Sequence, residues 1–263
     1  MPKTVVTEAT VFSLKPQGEI NSSVCFFTRT EGILYATLYG GRKSRLRSLV
    51  SPWNTGDTYL SKDPKTGFFK VMDFDVKKYH MTFRENLVKY YASSLAAEIV
   101  IKTKCAGSLE GCWILVNGFI DGLELCTTDE QCKTGTVRFL WRFLELLGIR
   151  PDAEKCFHCG ADFLAGKNKG DDVSCSGLGA EFLINENQFI CSECRNKNEK
   201  PIFYLDGNAM HYLASIAALS PNEARKNAIG EKSLSLIKEL VFYLIEEAVG
   251  TKLKSLETGA GIL

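Results

Sequence analysis

Histidine is scarce in this chain: 263 residues hold only His80, His158 and His211. General acid–base catalysis near neutral pH therefore has few candidates. The sequence has no Gly-x-x-x-x-Gly-Lys-Ser/Thr loop, no His-Glu-x-x-His pair and no Gly-x-Ser-x-Gly elbow. Familiar signatures of nucleotide hydrolysis, zinc proteolysis and serine esterase chemistry are thus missing. Long apolar runs are missing as well. The most apolar stretch, 236–249, is broken by Lys238, Glu239, Glu246 and Glu247, so no membrane span is expected. No secretory h-region follows Met1, and a reducing, cytoplasmic setting is expected. Net charge is nearly absent, 32 Lys and Arg against 31 Asp and Glu, so the total names no partner.

Its distribution is more informative. Residues 32–56 contain no acidic side chain, while Arg42, Lys43, Arg45 and Arg47 fall within six positions. That basic run begins at Gly40-Gly41, directly after a β-like segment, 33–39, in which Tyr35, Thr37 and Tyr39 share one face by the period of two. A cationic, glycine-initiated loop beside stacking aromatics suits a nucleic-acid backbone and its bases. The competing reading is a solvated basic loop with both tyrosines in the core.

Cysteine, by contrast, is plentiful at ten, and four of the ten form Cys156-Phe-His-Cys159 and Cys191-Ser-Glu-Cys194. Each pair presents two thiolates on one tight turn, and two such turns complete a tetrahedral zinc site. Four protein ligands leave no open position for water, so a structural ion is expected. His158 within the first knuckle and Cys175 in the long connection are the alternatives for one ligand position. Cys25, Cys105, Cys112, Cys126 and Cys132 lack metal spacing and read as small core residues.

Five short β-type segments, 10–14, 24–28, 33–39, 58–60 and 68–76, are separated by turn chemistry that includes Asp63-Pro64-Lys65-Thr66-Gly67. Five strands in some eighty residues fit a small closed barrel, of the OB type or an SH3-like one. Asp73, Asp75 and His80 near its end are the only acidic or histidine candidates for a metal-dependent nuclease. Alternation places the two carboxylates on a solvent face instead. From residue 86 the period becomes helical, over 86–102, 110–125 and 129–147, then again over 206–219 and 232–249. The first of these carries an apolar stripe of Leu87, Tyr90, Tyr91, Leu95, Ile99 and Val100. Gly148 with Pro151, and later Gly250, mark helix ends. The expected architecture is α+β: an N-terminal OB-type β-barrel at 1–80, an α-helical domain at 81–150 and 201–263, and a four-cysteine zinc finger inserted at 151–200.

This order of parts resembles the RecO family of bacterial recombination mediators. Phe27-Thr28-Arg29-Thr30-Glu31-Gly32-Ile33 and Gly40-Gly41-Arg42-Lys43-Ser44-Arg45-Leu46 are similar to its amino-terminal pattern. The helix from Arg138-Phe139 to Gly148, both cysteine knuckles and the closing segment Gly250-Thr251-Lys252-Leu253-Lys254-Ser255-Leu256 also match. Asn187-Gln188-Phe189-Ile190 stands where family members often carry glycines, and the 160–190 connection is long.

The resemblance implies a non-catalytic DNA repair protein of the RecF pathway, cytoplasmic and nucleoid-associated. Such a protein binds single- and double-stranded DNA, anneals strands, and works with RecR and the acidic tail of single-stranded DNA-binding protein (SSB) to help RecA load. It implies DNA contacts at Arg29, Arg42, Lys43, Arg45 and Arg47, zinc ligands at Cys156, Cys159, Cys191 and Cys194, and SSB-tail contacts at Arg138 and Arg142. Annealing would then follow from charge neutralisation that leaves base edges accessible. The alternative is a zinc-dependent protein-interaction module without DNA activity of its own.

Overall fold

One long strand, β1 (Lys3–Gln17), organises the amino-terminal region by pairing twice: Lys3 to Thr10 lie against one neighbour and Ala9 to Gln17 against another, with an irregularity between Val11 and Ser13. The computed structural model describes residues 3–40, 44–105, 107–163, 179–195 and 202–263. Arg42, Lys43 and Cys175 lie outside the described residues. After β1 come β2 (Asn21–Thr28), β3 (Gly32–Leu38), a short helix α1 (Arg45–Leu49), β4 (Thr55–Lys62) and β5 (Phe69–Lys78). They close in the order β1-β2-β3-β5-β4, with β1 antiparallel to both β2 and β4 and β3 parallel to β5. This is an OB-type barrel rather than the SH3-like alternative.

Inward-facing Val11, Val24, Phe26, Ala36, Leu38, Leu60, Val71 and Phe74 fill the barrel, and Val50 after α1 closes one end. Where β4 and β5 shift register, Gly56 lies so close to its partner that an added Cβ would fall 2.0 Å from the Asp75 carbonyl oxygen. Only glycine fits there. Two elements differ from expectation. β1 starts well before residue 10 because pairing with β4 supplies its backbone partners. The connection after Gly40, expected as a loop, contains α1, which lacks a side-chain N-cap and has no long apolar face to announce it.

A 3₁₀ turn (Met81–Arg84) leads into α2 (Leu87–Thr103), α3 (Leu109–Glu124) and α4 (Asp129–Leu146). Side chains of Asn86 and Ser108 accept from the backbone N–H groups of Lys89 and Gly111, fixing where α2 and α3 begin. The stripe expected on α2 needs correction. Leu87 and Tyr90 face solvent, whereas Lys89, Ala92, Ser93, Ala96 and Ala97 are buried with Leu95, Ile99 and Val100. Small side chains let neighbours approach α2 on several sides, so the contrast between its faces is weak. β6 (Ala180–Leu183), β7 (Gln188–Cys191) and β8 (Tyr204–Leu205) form a three-stranded sheet in the order β7-β6-β8. Then follow α5 (Gly207–Ala218), α6 (Pro221–Ala224), α7 (Glu231–Val249) and α8 (Lys254–Thr258). Gly250 caps α7 at φ 73°.

The chain divides into two compact units, Met1–Lys133 with Lys252–Leu263 and Thr134–Thr251, the division falling inside α4. Among the described residues no helix is long and apolar enough to cross a membrane.

Candidate metal centre and nucleic-acid face

Both cysteine pairs sit on turns held by backbone hydrogen bonds. In the first, Lys155 and Asp162 bridge, the Cys156 N–H donates to the Ala161 carbonyl at 2.8 Å and the Gly160 N–H to the Cys156 carbonyl at 2.9 Å. Gly160 takes φ +71°, which reverses the chain after Cys159. The second turn leaves the end of β7, with the Cys194 N–H donating to the Cys191 carbonyl at 3.1 Å. A hydrogen bond from Phe157 N–H to the Phe189 carbonyl, 2.8 Å, ties one turn to the strand that carries the other.

The four sulfurs converge. All lie within 4.8 Å of one another, and Cys159 Sγ is 3.7 Å from Cys191 Sγ. An ion held tetrahedrally by thiolates at about 2.3 Å would set sulfur–sulfur edges of about 3.8 Å. The donor set and spacing therefore fit a metal ion. Burial opposes ionisation of Cys156, but N–H groups of Cys159, Cys191 and His158 aimed at its sulfur hold the thiol down at about 6. At Cys194 the crowd of neighbouring sulfurs, Cys159 foremost, pushes the thiol up to about 12. Four thiolates this close repel unless a cation lies among them. His158 is exposed, its ring beside that of Phe157, and is outside the cluster. Beneath the knuckles Phe163, Phe182 and Phe189 are buried, and ring contacts run from Phe182 through Phe203 to Tyr243 on α7.

On the barrel, Tyr35 and Tyr39 are 56% and 53% exposed, while Ala36 and Leu38 between them are buried. Tyr35 thus stands on the outer face of β3 and Tyr39 is exposed just past its end, contrary to their core reading. Beside them the parallel partner β5 places Lys70, whose ammonium stands 5.0 Å from the Tyr39 ring centroid. Lys15 on β1 is exposed, Phe68 in the β4–β5 turn is 75% exposed and Ile20 in the β1–β2 turn is 61% exposed. These two turns and the β2–β3 face are where OB-type barrels take oligonucleotides. Asp63 shapes the first of the two: its Oδ1 accepts from the N–H groups of Lys65 at 2.8 Å and Thr66 at 2.9 Å. Sequence reading missed Lys70, Phe68, Ile20 and Lys15. Their only local signal is outward alternation or a turn position, and the parallel β3–β5 pairing that brings Lys70 to Tyr39 is non-local.

Arg45 is exposed on α1 and Arg47 is partly exposed in its last turn. Arg29 is differently placed: its guanidinium lies 3.0 Å from Glu110 on α3 and 3.6 Å from Glu8 on β1. Arg138 donates Nε to the Tyr212 hydroxyl at 2.6 Å, and Arg142 donates to the carbonyls of Ile216 and Leu219, closing the C-terminus of α5. Asp73 and Asp75 are exposed on β5. His80 is buried, with Nδ1 2.6 Å from the Trp53 carbonyl oxygen and Nε2 2.9 Å from Asp121 Oδ1. It ties a loop to α3, and the two exposed carboxylates do not join it in a cluster.

A family model described as recombination protein O C terminal matches residues 84–257, well over half of the chain. A curated relative, the DNA repair protein RecO of Syntrophobacter fumaroxidans, is 25% identical over 158 residues. That similarity covers 60% of this chain and 62% of the relative's length.

Proposed function

The chain belongs to the RecO family, and from that premise we propose that it is a non-catalytic mediator of DNA repair and recombination. In this reading the barrel binds single- and double-stranded DNA, anneals complementary strands and, with RecR and SSB, helps RecA load onto coated strands. The observation that carries it is the outer barrel face on which Tyr35 and Tyr39 stand exposed with Lys70 against Tyr39. Aromatic faces stack bases of any sequence, and cations beside them cover phosphates, so two polyanions can be brought together without covalent chemistry. Arg45 and Arg47 on α1 supply further cations, and Arg42 and Lys43 precede them in the chain. Arg29 contributes less than its position in the sequence suggests, because Glu8 and Glu110 already balance it. An acidic SSB tail would meet Arg138 and Arg142 only through N–H groups not already donated inward.

The cysteine cluster in this reading holds one structural Zn²⁺ through Cys156, Cys159, Cys191 and Cys194. It staples β7 to the first knuckle, and activity resides elsewhere. Exposed Phe157, at 55%, on that knuckle favours a second reading in which the zinc element contacts a protein partner.

Single-strand binding of the zinc-loaded chain, measured from low to moderate salt alongside annealing of SSB-coated complementary strands, tests the proposal. Tyr39→Ala with Lys70→Ala should weaken binding by about 5- to 150-fold, from roughly 1–3 kcal/mol per stacked base. If Lys70, Arg45 and Arg47 each cover one phosphate, their combined removal should flatten the salt slope by about 2, at roughly 0.7 per contact. No affinity at low salt in the unmodified chain would instead favour the protein-interaction reading.

A further inference from the structure

The barrel wall formed by the first half of β1 with β4 and β5 leaves apolar side chains in solvent. Val6 pairs with Tyr59 across β1 and β4, and Tyr59 pairs with Asp73 across β4 and β5. The register shifts at this row, since Leu60 pairs with Val71, and Met72 is the extra residue beside Asp73. Val6, Tyr59 and Met72 are 56%, 37% and 52% exposed. Two positions along the strands, Glu8 pairs with Asp57 and Asp57 with Asp75, which sets three carboxylates side by side on three adjacent strands. At a rise of about 3.3 Å per residue, the apolar row and the acidic row run parallel about 7 Å apart.

Like charges directly opposite one another weaken a sheet. Here they are only partly offset. Lys77 pairs with Asp57 at 2.7 Å, and Arg29, 3.6 Å from Glu8, is shared with Glu110. Asp73 and Asp75 are exposed and form no ion pair among the described residues. The wall therefore joins uncovered apolar surface to unbalanced negative charge.

We propose that this wall docks a partner protein through a segment that presents lysine or arginine side chains beside an aliphatic or aromatic anchor. The anchor rests on Val6, Tyr59 and Met72, and the basic side chains meet Asp73 and the row of three carboxylates. Charge complementarity selects this occupant. The carboxylates repel a phosphate backbone, an anionic lipid surface or an acidic peptide, and a neutral segment would desolvate them without compensation. Three apolar side chains make a small anchor, so the contact belongs to the weak, transient class. β5 changes sign along its length, from Lys70 against Tyr39 to Asp73 and Asp75, which separates this surface from the nucleic-acid face. The proposal does not depend on the DNA reading.

The test uses the whole metal-loaded chain with isotope-labelled methionine methyl groups, and a soluble lysine–leucine peptide as probe beside its glutamate–leucine counterpart. Met72 stands in the patch, whereas Met81 is in the 3₁₀ turn and Met210 in α5. The lysine–leucine peptide should shift the Met72 methyl resonance, leave Met210 in place and bind more weakly as salt rises, while the glutamate–leucine peptide should shift nothing. Asp73→Asn with Asp75→Asn, both exposed and nearly isosteric changes, should weaken the lysine–leucine peptide about 5-fold or more with the urea midpoint and single-strand affinity preserved. Tyr59→Ala should weaken it as well. An unmoved Met72 resonance, equal affinity for both peptides, or full affinity in the double variant overturns the proposal. So does loss of single-strand binding in the double variant, which would put the carboxylates in the nucleic-acid site. Self-association of the unmodified chain that the double variant abolishes would make a second copy the occupant and overturn it too.

Discussion

Asp121 is met by two basic groups, His80 Nε2 at 2.9 Å from one oxygen and Lys78 Nζ at 2.6 Å from the other. Burial works against the charged carboxylate, but these two hydrogen bonds outweigh it and the Asp121 pKa lies below its ordinary value of 3.8. A carboxyl with a depressed native pKa contributes stability that is complete above its unfolded value and disappears as pH falls through the native one. Asp121→Asn should therefore cost about 1–2 kcal/mol near neutral pH, allowing for partial solvent screening, and should make the acid limb of the stability profile shallower below about pH 4. Urea titrations at a series of pH values measure both; an unchanged acid limb would remove Asp121 from the account. His80 illustrates what single residues disclose from sequence. Its presence near Asp73 and Asp75 was visible, but its burial between Trp53 and α3 depends on partners 27 and 41 positions away. Tyr35 on β3 and Tyr39 just past its end were easier, because strand alternation alone puts them on one face.

Helices announce their starts better than their neighbours. Asn86 and Asp206 act as N-caps where the periodicity begins, Ser108 caps α3 two residues before the expected start at 110, and Gly250 ends α7 as expected. The short helix α8 has no such signal, since Leu253 at its N-cap offers no side-chain acceptor. Its cap comes from another element: Glu98 on α2 accepts from the N–H groups of Lys254 at 3.1 Å and Ser255 at 2.9 Å, and from the Ser255 hydroxyl at 2.7 Å. A negative charge at a helix N-terminus also complements its dipole. Glu98→Ala should destabilise this segment by about 1–2 kcal/mol, in line with lost caps. Faster amide exchange across 253–259, with the β-barrel amides unchanged, is the expected reading. β6 and β7 escaped sequence reading for a similar reason. Four residues each, they are strands because β7 runs into the second knuckle at Cys191 and β6 pairs with β7 on one side and β8 on the other, and so little chain carries no periodic signal.

At the scale of the whole molecule, the order of parts was legible because each has its own chemistry: alternation for the barrel, helical period after residue 86, cysteine spacing for the knuckles. Less legible were the compact units, because α4 is one continuous helical pattern through which the division passes. Metal removal should act on one of these units. Structural zinc sites supply about 10–16 kcal/mol in small finger peptides, energy that doubles as folding energy. A chelator should therefore raise hydrogen exchange at 154–163 and 180–194, around Phe163, Phe182 and Phe189, while the barrel strands keep their protection. Equal loss in both units would contradict a local staple. The barrel's closure carries one more consequence. Only β2 and β4 are paired along both edges: β1 meets β4 over Lys3–Thr10 and β2 over Ala9–Gln17, and β3 meets β5 only through Ala36 with Phe69 and Thr37 with Lys70. Proteins that recognise targets by lending or borrowing a strand find no foothold on β2 or β4, where a partner must engage side chains instead. Recruitment by strand addition, with its dependence on main-chain rather than side-chain recognition, is therefore left to the half-paired stretches of β1, β3 and β5 and to β7 and β8, the edges of the three-stranded sheet.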